Sequence, residues 1–166
     1  MAARCIFTGI FLSLSIFFTA FPAAGQDAAL KALPGVWVNL EITSALVRDG
    51  LAHNQVKSDI VSQLQEAGVR LLSEKECRST AGQPKLMVRV QGVKVQENWK
   101  FYSFAINIYL IQDVFLARID NSGSYPASTW YDTVAAHGYI GDIRTRIKEV
   151  IGTFASDYRT ANPTKN

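Results

Sequence analysis

Residues 101–119, FYSFAINIYLIQDVFLARI, are the stretch of the chain that decides the fold, because they contain no glycine or proline. Apolar and mixed positions alternate along this stretch, which is the two-residue period of a β-strand with one buried face. A strand over all of it would be roughly 60 Å long, well beyond the usual span of about 3–10 residues. We therefore predict one long strand that bends or bulges near Gln112–Asp113. Its buried face consists of Tyr102, Phe104, Ile106, Ile108, Leu110, Val114 and Leu116.

A second strand is predicted before this stretch, over residues 86–95. Every second residue from 86 to 90 is aliphatic, but beyond Gly92 the aliphatic positions move by one residue, to Val93 and Val95. Such a phase shift at a glycine is typical of a β-bulge, which we predict at Gln91–Gly92. Polar turn residues at 96–98 then indicate a hairpin between the two strands.

The last predicted strand, residues 127–136, is more polar than the two before it. Turn-forming residues at 121–124 separate it from the long strand. Pro126 lies near its start, and a sheet tolerates proline on an edge strand, where the missing N–H costs no ladder hydrogen bond. We therefore expect this strand at the edge of the sheet, where it could accept a strand from a partner protein.

The first half of the domain begins with a strand and continues as a helix. Residues 36–42 alternate with the strand period, and residues 54–68 have apolar positions on one helical face. We expect Asn54 to cap this helix and Gly68 to end it.

Between this helix and the long strands, the chain contains two short elements. Residues 69–72 are a short apolar run, which we interpret as a second strand. Ser73 and Glu76 have the spacing of a capping box, which predicts a short helical turn that carries Cys77.

The final element is a helix over residues 143–158 with an apolar stripe. The order strand, helix, strand, three long antiparallel strands and helix predicts an α+β two-layer sandwich, an antiparallel meander sheet with two helices on one face. The domain spans residues 36–160, after a flexible lead-in over 26–35 and before a polar tail over 161–166. We expect the stripe of Ile147, Val150, Ile151 and Phe154 to lie against Phe104, Ile106 and Ile108.

Residues 1–25 have the pattern of a secretory signal peptide. Arg4 precedes an apolar run over residues 6–21, and small residues precede a cleavage position at Gln26. The run is shorter than the roughly 20 residues that span a bilayer, although an uncleaved anchor is the alternative. We expect a periplasmic or secreted protein with no stable membrane anchor after cleavage.

Charge and cysteine content exclude some classes of function. Without Arg4, 16 of the 17 basic residues remain against 14 acidic ones, and they are scattered along the chain. Nucleic-acid binding usually requires a concentrated basic face, so we expect no nucleic-acid partner. Cys77 is the one cysteine beyond the signal peptide, and we expect a buried thiol, with an intermolecular disulfide as the alternative.

The sequence contains few residues that suggest catalysis. Of the two histidines, His53 lies at a predicted helix start, and His137 lies near Asp132 and Tyr139. Ser128 could complete a Ser-His-Asp set, but no nucleophile motif surrounds it. We therefore predict a non-enzymatic protein, with no catalytic residue, no cofactor and no metal site.

Aromatic residues are the remaining candidates for recognition. Trp37 faces away from the apolar side of its strand, Trp99 lies at the predicted hairpin turn, and Tyr131 lies in the last strand. Exposed tryptophan and tyrosine often anchor protein interfaces, so we predict these three as partner-binding residues. We expect Trp130 and Phe101 instead to pack under the helices or against neighbouring strands.

Several segments resemble known families: VRV at 88–90, YSFAI at 102–106, TW at 129–130 and the closing helix that leads to Asn162–Pro163. They resemble an uncharacterised family of small exported bacterial proteins. The order of elements is also similar to that of envelope assembly proteins, namely the lipopolysaccharide-assembly lipoprotein and the N-terminal domain of TolB. This chain lacks the lipoprotein cysteine at the end of its apolar run. The resemblance implies a fold and an envelope location, but no catalytic motif.

These observations predict an exported, non-enzymatic envelope domain. Its partner would be another envelope protein or a second copy of itself. The alternatives are a carrier of a small apolar ligand, bound between the sheet and the helices, and a weak hydrolase centred on His137.

Overall fold

A four-stranded mixed sheet forms one layer of the protein, which we describe from a computed structural model over residues 26–116 and 123–163. The strands are neighbours in chain order: β1 (Trp37–Ile42), β2 (Lys85–Lys94), β3 (Phe101–Val114) and β4 (Tyr125–Tyr139). The predicted signal peptide, part of the predicted turn at 121–124 and the end of the 101–119 stretch lie outside the described residues. No helix within the described ranges is long and apolar enough to cross a membrane.

The second layer consists of helices, which confirms the predicted α+β two-layer sandwich. The two long helices are the predicted ones, α3 (His53–Glu66) and α5 (Ile140–Ala161). A Glu76–Ser73 capping box begins a short helix that carries Cys77, as predicted. The three short helices are α1 (Gln26–Leu30), α2 (Ser44–Arg48) and α4 (Glu74–Ser79).

The direction of β1 differs from the prediction of an antiparallel meander. Strands β2, β3 and β4 are antiparallel neighbours, but β1 pairs with β2 in parallel. The chain passes from β1 through α2, α3 and α4 before it enters β2, and such a helical crossover returns the chain to the end where β1 began.

The core lies between the sheet and the long helices. The even-numbered residues of β3 from Tyr102 to Leu110 are buried, as their alternation predicted. The predicted α5 stripe is buried in the same core cluster, and the Phe154 ring meets Trp130 edge-on at a centroid distance of 5.0 Å. The stripe consists of Ile147, Val150, Ile151 and Phe154.

An ion-pair cluster joins the two long helices on their outer side. Arg144 Nε donates to Asp59 Oδ2 at 2.6 Å, and Lys148 Nζ lies 3.5 Å from the same oxygen. The Arg144 hydrogen bond holds the pKa of Asp59 below its usual value, despite the opposing effect of partial burial. This cluster fixes α3 and α5 side by side over the sheet.

The predicted bulge at Gln91–Gly92 is absent, because the β2–β3 register is continuous from Lys85 to Lys94. Gly92 has a packing role instead: a Cβ at this position would lie 3.0 Å from Cδ2 of Leu46 on α2. The irregularity in the sheet lies between Leu110 and Ile111, one residue before the predicted bend. Gly92 therefore allows Leu46 of α2 to pack closely against β2, and it does not shift the register of the strand.

Two boundaries around the first long helix also differ from the prediction. The helix begins at His53 after Ala52, and Asn54 does not cap it. Gly68 follows the helix with a φ of +78°, as expected for a terminating glycine. The predicted strand over 69–72 is reduced to a single parallel bridge between Val36 and Leu71.

The predicted flexible lead-in over 26–35 belongs to the folded domain. Leu30 and Leu33 are buried in the core, with exposed fractions of 0% and 6%. The Asn162 side chain holds this segment, because its Nδ2 donates to Leu30 O at 2.8 Å and its Oδ1 accepts from Ala32 N at 2.8 Å. Asn162 therefore also ties the start of the predicted polar tail, 161–166, to the fold.

Candidate protein-binding surface

One face of the sheet has none of the long helices on it. We call this side of the sheet the outer face. The residues that alternate with the core residues point to it. They are the odd-numbered residues of β1, β2 and β3, and the odd-numbered residues of β4 from 131 to 139. Strand pairing arranges them in rows across the sheet. One row runs Asn39, Met87, Tyr109 and Tyr131, and another runs Glu41, Arg89, Asn107 and Thr133.

The middle of the outer face is polar and internally paired. Arg89 Nε donates to Glu41 Oε2 at 2.9 Å, and the Thr133 hydroxyl donates to Asn107 Oδ1 at 2.8 Å. These pairs satisfy the polar groups across neighbouring strands. A partner covering this row would therefore meet few polar groups that still need a hydrogen bond.

The structure brings two of the three predicted partner-binding residues onto this face. Trp37 is half-buried at the β1 end, and the Lys85 ammonium lies over its ring, 5.3 Å from the centroid. Tyr131 is on β4 and is 60% exposed. Trp99 is 58% exposed in the β2–β3 turn, beyond the opposite end of the strands. Trp130 is buried under the helices. Phe101 is half-buried on the outer face, where its ring contacts those of His137 and Tyr139 on the neighbouring strand.

The β2–β3 hairpin end of the outer face carries four of the eight exposed large hydrophobic side chains in the described part of the chain. Val93 pairs with Ser103, and Ser103 pairs with His137, while the next row contains Val95, Phe101 and Tyr139. Val93 is 68% exposed and Tyr139 is 61% exposed. We call Val93, Val95, Trp99 and Tyr139 the hairpin-end patch.

A partly buried hydrogen bond holds the hairpin end in place. The hydroxyl of Tyr102, a fully buried residue of β3, donates to the Asp49 carboxylate after α2, and Lys94 Nζ lies 2.9 Å from the same carboxylate. The Tyr102 hydrogen bond and Lys94 hold the pKa of Asp49 below its usual value. Burial and the carboxylate raise the pKa of Tyr102 to about 12. The charged Asp49 therefore links α2 to both strands of the hairpin.

The edge strand β4 is partly closed to strand addition. Its position at the edge agrees with the prediction. The Thr133 N–H donates to the neighbouring Asp132 Oδ1 at 2.7 Å, and the Tyr139 N–H donates to Asp142 Oδ2 at 2.8 Å. Since both donors are satisfied within the chain, the outer face is a better docking surface than this edge.

The structure separates His137 from Asp132. The two residues are five positions apart on β4, about 17 Å along a strand, and odd spacing places them on opposite faces of the sheet. The His137 ring stacks on Phe101 with a centroid distance of 6.5 Å. His53, at the start of α3, forms a hydrogen bond with a carbonyl of β1: its Nε2 lies 3.2 Å from Leu40 O.

A polar cleft of about 200 Å³ lies beside His137. Its other polar side chains already form hydrogen bonds or ion pairs within α5 and at its start. The Thr145 hydroxyl donates to Gly141 O at 3.1 Å, and Arg146 pairs with Glu149 at 2.6 Å. Asp142 already accepts the N–H that begins α5. The cleft therefore offers no hydroxyl held against the imidazole, which a hydrolase of the serine type requires.

The apolar pocket expected between sheet and helices is filled by core side chains. Ile106, Ile108, Leu110, Ile147 and Phe154 each have an exposed fraction of 1% or less. A cleft of about 290 Å³ on α3 and α5 is a surface depression lined by Asp59, Ser62, Gln63, Glu66 and Lys148. This arrangement gives no support to a small-ligand carrier.

Within the described ranges, the Cys77 thiol is not placed to react, and the ligands for a metal site are not grouped together. Cys77 is buried and free, as predicted, and its Sγ lies 3.4 Å from Pro84 O. Burial raises the pKa of the Cys77 thiol, which disfavours the reactive thiolate. No group of three or more metal-ligating side chains is found within the part of the chain that the structure describes.

Of the hairpin-end patch, the sequence pointed only to Trp99. The valines after Gly92 suggested a bulge that would turn them inward, whereas the continuous register leaves Val93 and Val95 exposed. The available signal was the three-residue polar turn that follows, because a short tight hairpin keeps the register of both strands.

Comparisons with known proteins give weak structural similarities only. No protein-family model matches the chain, and a search of curated proteins by sequence finds no match. A dodecamer of a PelC variant from Paraburkholderia phytofirmans is similar over 77% of this chain and 92% of that chain, at 15% sequence identity and a TM-score of 0.46. A minor lipoprotein from Acinetobacter baumannii is similar over 78% of this chain and 94% of that chain, at 13% identity and a TM-score of 0.30.

Proposed function

We propose that this protein is an exported, non-enzymatic envelope domain that binds another envelope protein through its outer face. The observation that carries the proposal is the sheet itself, which has its long helices on one side and exposes Tyr131 and the hairpin-end patch on the other. Exposed aromatic side chains on a rigid sheet lose little conformational entropy when a partner covers them. They are therefore suitable anchors for an interface.

The size of the outer face supports this proposal. Four strands at about 4.8 Å spacing and ten residues of β2 at about 3.4 Å per residue give roughly 600 Å². A stable protein–protein interface buries about 800 Å² on each partner. The sheet alone supplies most of that area, and Trp99 in the adjoining turn extends it.

The arrangement of polar groups favours binding over catalysis. His137 stacks on an aromatic ring and lies across the sheet from Asp132. The paired Arg89 and Glu41 sit in the centre of the face, where a partner can cover them without leaving a lone charge. Apolar and aromatic residues lie towards both ends of the strands, where Tyr131 and the hairpin-end patch are exposed.

The test is site-specific photo-crosslinking in bacterial cells that express the full chain. A benzophenone amino acid replaces Tyr131 or Trp99, and a matched control replaces Thr153, an exposed residue of α5 in the helical layer. We expect a discrete cross-linked product from the first two positions and none from Thr153. A product with the mass of two copies would identify self-association, and products of equal yield from all three positions would refute the outer face as the interface.

A further inference from the structure

The open edge of β1 begins with a short ladder that stops abruptly. The Val36 N–H donates to Arg70 O at 2.9 Å, and Leu72 N donates back to Val36 O at 2.8 Å. Ser73 N then donates to Glu76 Oε2 at 2.7 Å, as the capping box begins α4. The segment that could have formed a fifth strand therefore leaves the sheet after Leu72.

The alternation of the ladder shows which groups this departure leaves open. Trp37 N and Thr43 N donate to carbonyls on the β2 side, each at 3.0 Å, so odd-numbered residues of β1 bond to β2. Even-numbered residues face the open edge. His53 contacts the Leu40 carbonyl. The N–H and C=O of Val38 and the N–H of Leu40 point to the same edge, where no hydrogen bond outside the sheet ladder reaches them within the described residues.

A cleft of about 190 Å³ lies at this open edge. Its walls are mostly apolar and come from β1, α3 and the segment before α4. Small-molecule pockets are usually about 300–1,000 Å³, so the cleft fits one apolar side chain and not a whole ligand of that class. Its lining residues are Trp37, Val38, Lys57, Val61, Leu71, Leu72 and Ser73.

Two lysines that have no carboxylate partner among the described residues lie near the cleft. Lys57 is exposed at its rim, and Lys85 lies over the Trp37 ring. Neither ammonium forms an ion pair within the described part of the chain. The nearby Glu76 already accepts the Ser73 N–H and lies 3.7 Å from Arg70. An incoming segment with carboxylates would therefore complement this edge.

We propose that the open edge of β1 binds an extended, acidic peptide segment of another protein. The segment adds a strand beside Val38, places one apolar side chain in the cleft, and puts a carboxylate near Lys57. Backbone hydrogen bonds supply affinity in this mode of recognition, while the pocket and the charges supply specificity. The site adjoins the outer face at Trp37, but it is centred on Val38 and Lys57 at the β1 edge, far from Tyr131 and Trp99.

The test uses fluorescently labelled synthetic pentapeptides and the purified chain from residue 26. The probe is acetyl-Glu-Leu-Glu-Val-Glu-amide, compared with one peptide in which lysine replaces each Glu and another in which serine replaces Leu and Val. We expect the acidic apolar probe to bind at least about tenfold more tightly than either comparison peptide by fluorescence polarisation. Binding should also slow amide hydrogen exchange at Val38 and Leu40.

Two variants make the test specific to the cleft. Lys57→Glu should weaken binding of the acidic probe by about tenfold or more, whereas Lys100→Glu, in the distant hairpin, should leave it unchanged. Equal binding of all three peptides, no effect of Lys57→Glu, or unchanged exchange at Val38 would overturn the proposal. Lys57-dependent binding to phosphatidylglycerol vesicles without peptide binding would also overturn it. The crosslinks from Tyr131 report on the outer face, so the two proposals can fail independently.

Discussion

Replacement of Phe154 by alanine should destabilise the protein strongly. Phe154 is fully buried, and its ring meets Trp130 edge-on at 5.0 Å. Trp130 is itself held in place, because its Nε1 donates to Asp157 Oδ2 at 2.9 Å. The cavity left by the phenyl ring therefore has a wall that cannot easily collapse. We expect a loss of about 4 kcal/mol, within the range of about 3–5 kcal/mol for a buried phenylalanine.

The assay is urea denaturation of the purified chain, followed by tryptophan fluorescence and by circular dichroism. A loss of about 4 kcal/mol corresponds to a fall of about 12–16 °C in Tm for a domain of this size. Phe115→Ala is the matched control, since Phe115 is 73% exposed and its loss should cost less than about 0.5 kcal/mol. A change below about 1 kcal/mol for Phe154→Ala would refute the packing of α5 against the sheet.

Three further predictions address local packing and titration. Gly92→Ala should destabilise the fold by about 1–3 kcal/mol in a urea titration, since the new Cβ would lie 3.0 Å from Leu46 Cδ2, whereas Gly141→Ala, with no atom within 4 Å, should not. The raised pKa of Tyr102, about 12, means that the unfolded chain loses this proton first, so stability should fall as the pH rises from about 10 to 12. Tyr102→Phe should remove that part of the pH dependence, and an unchanged profile would contradict the assignment. Cys77 should react slowly with a thiol reagent until denaturant is added, because its pKa is raised by burial; rapid labelling of the folded chain would show an accessible thiol.

The sequence predicts well those parts of the fold that depend on residues close together in the chain. The alternation along β3 and the stripe on α5 each require a single buried face, and both faces are buried together. The capping box at Ser73 is equally local, since both of its hydrogen bonds form within four residues.

The parts that were predicted wrongly depend on contacts between distant segments. The parallel direction of β1 follows from where α2, α3 and α4 return the chain, which strand periodicity does not report. Leu30 is buried because Asn162 and α5 hold its segment, and composition alone made this segment a mobile lead-in. Gly92 is the same kind of case, because its role depends on Leu46, 46 positions earlier in the chain.

The candidate surfaces were predictable only in part, for a related physical reason. Trp37, Trp99 and Tyr131 could be selected as exposed aromatics from their positions in strands and turns. The open edge at Val38 could not, because it exists only where the segment before α4 leaves the sheet. Whether a strand edge stays unpaired depends on where the rest of the chain packs, and the residues of that strand carry no signal for it.

The Asn162 clamp on Leu30 and Ala32 has a consequence for the order in which the chain can fold. The hydrogen bond between Asn162 and Leu30 joins residues 132 positions apart, so the core around Leu30 cannot close until almost the whole domain has been synthesised. A partly synthesised chain that still lacks Asn162 therefore cannot form this contact with Leu30. The same proximity makes the domain suited to circular permutation, in which a short linker joins the two ends and new termini open elsewhere. Such a permuted chain would turn this contact between distant residues into a local one.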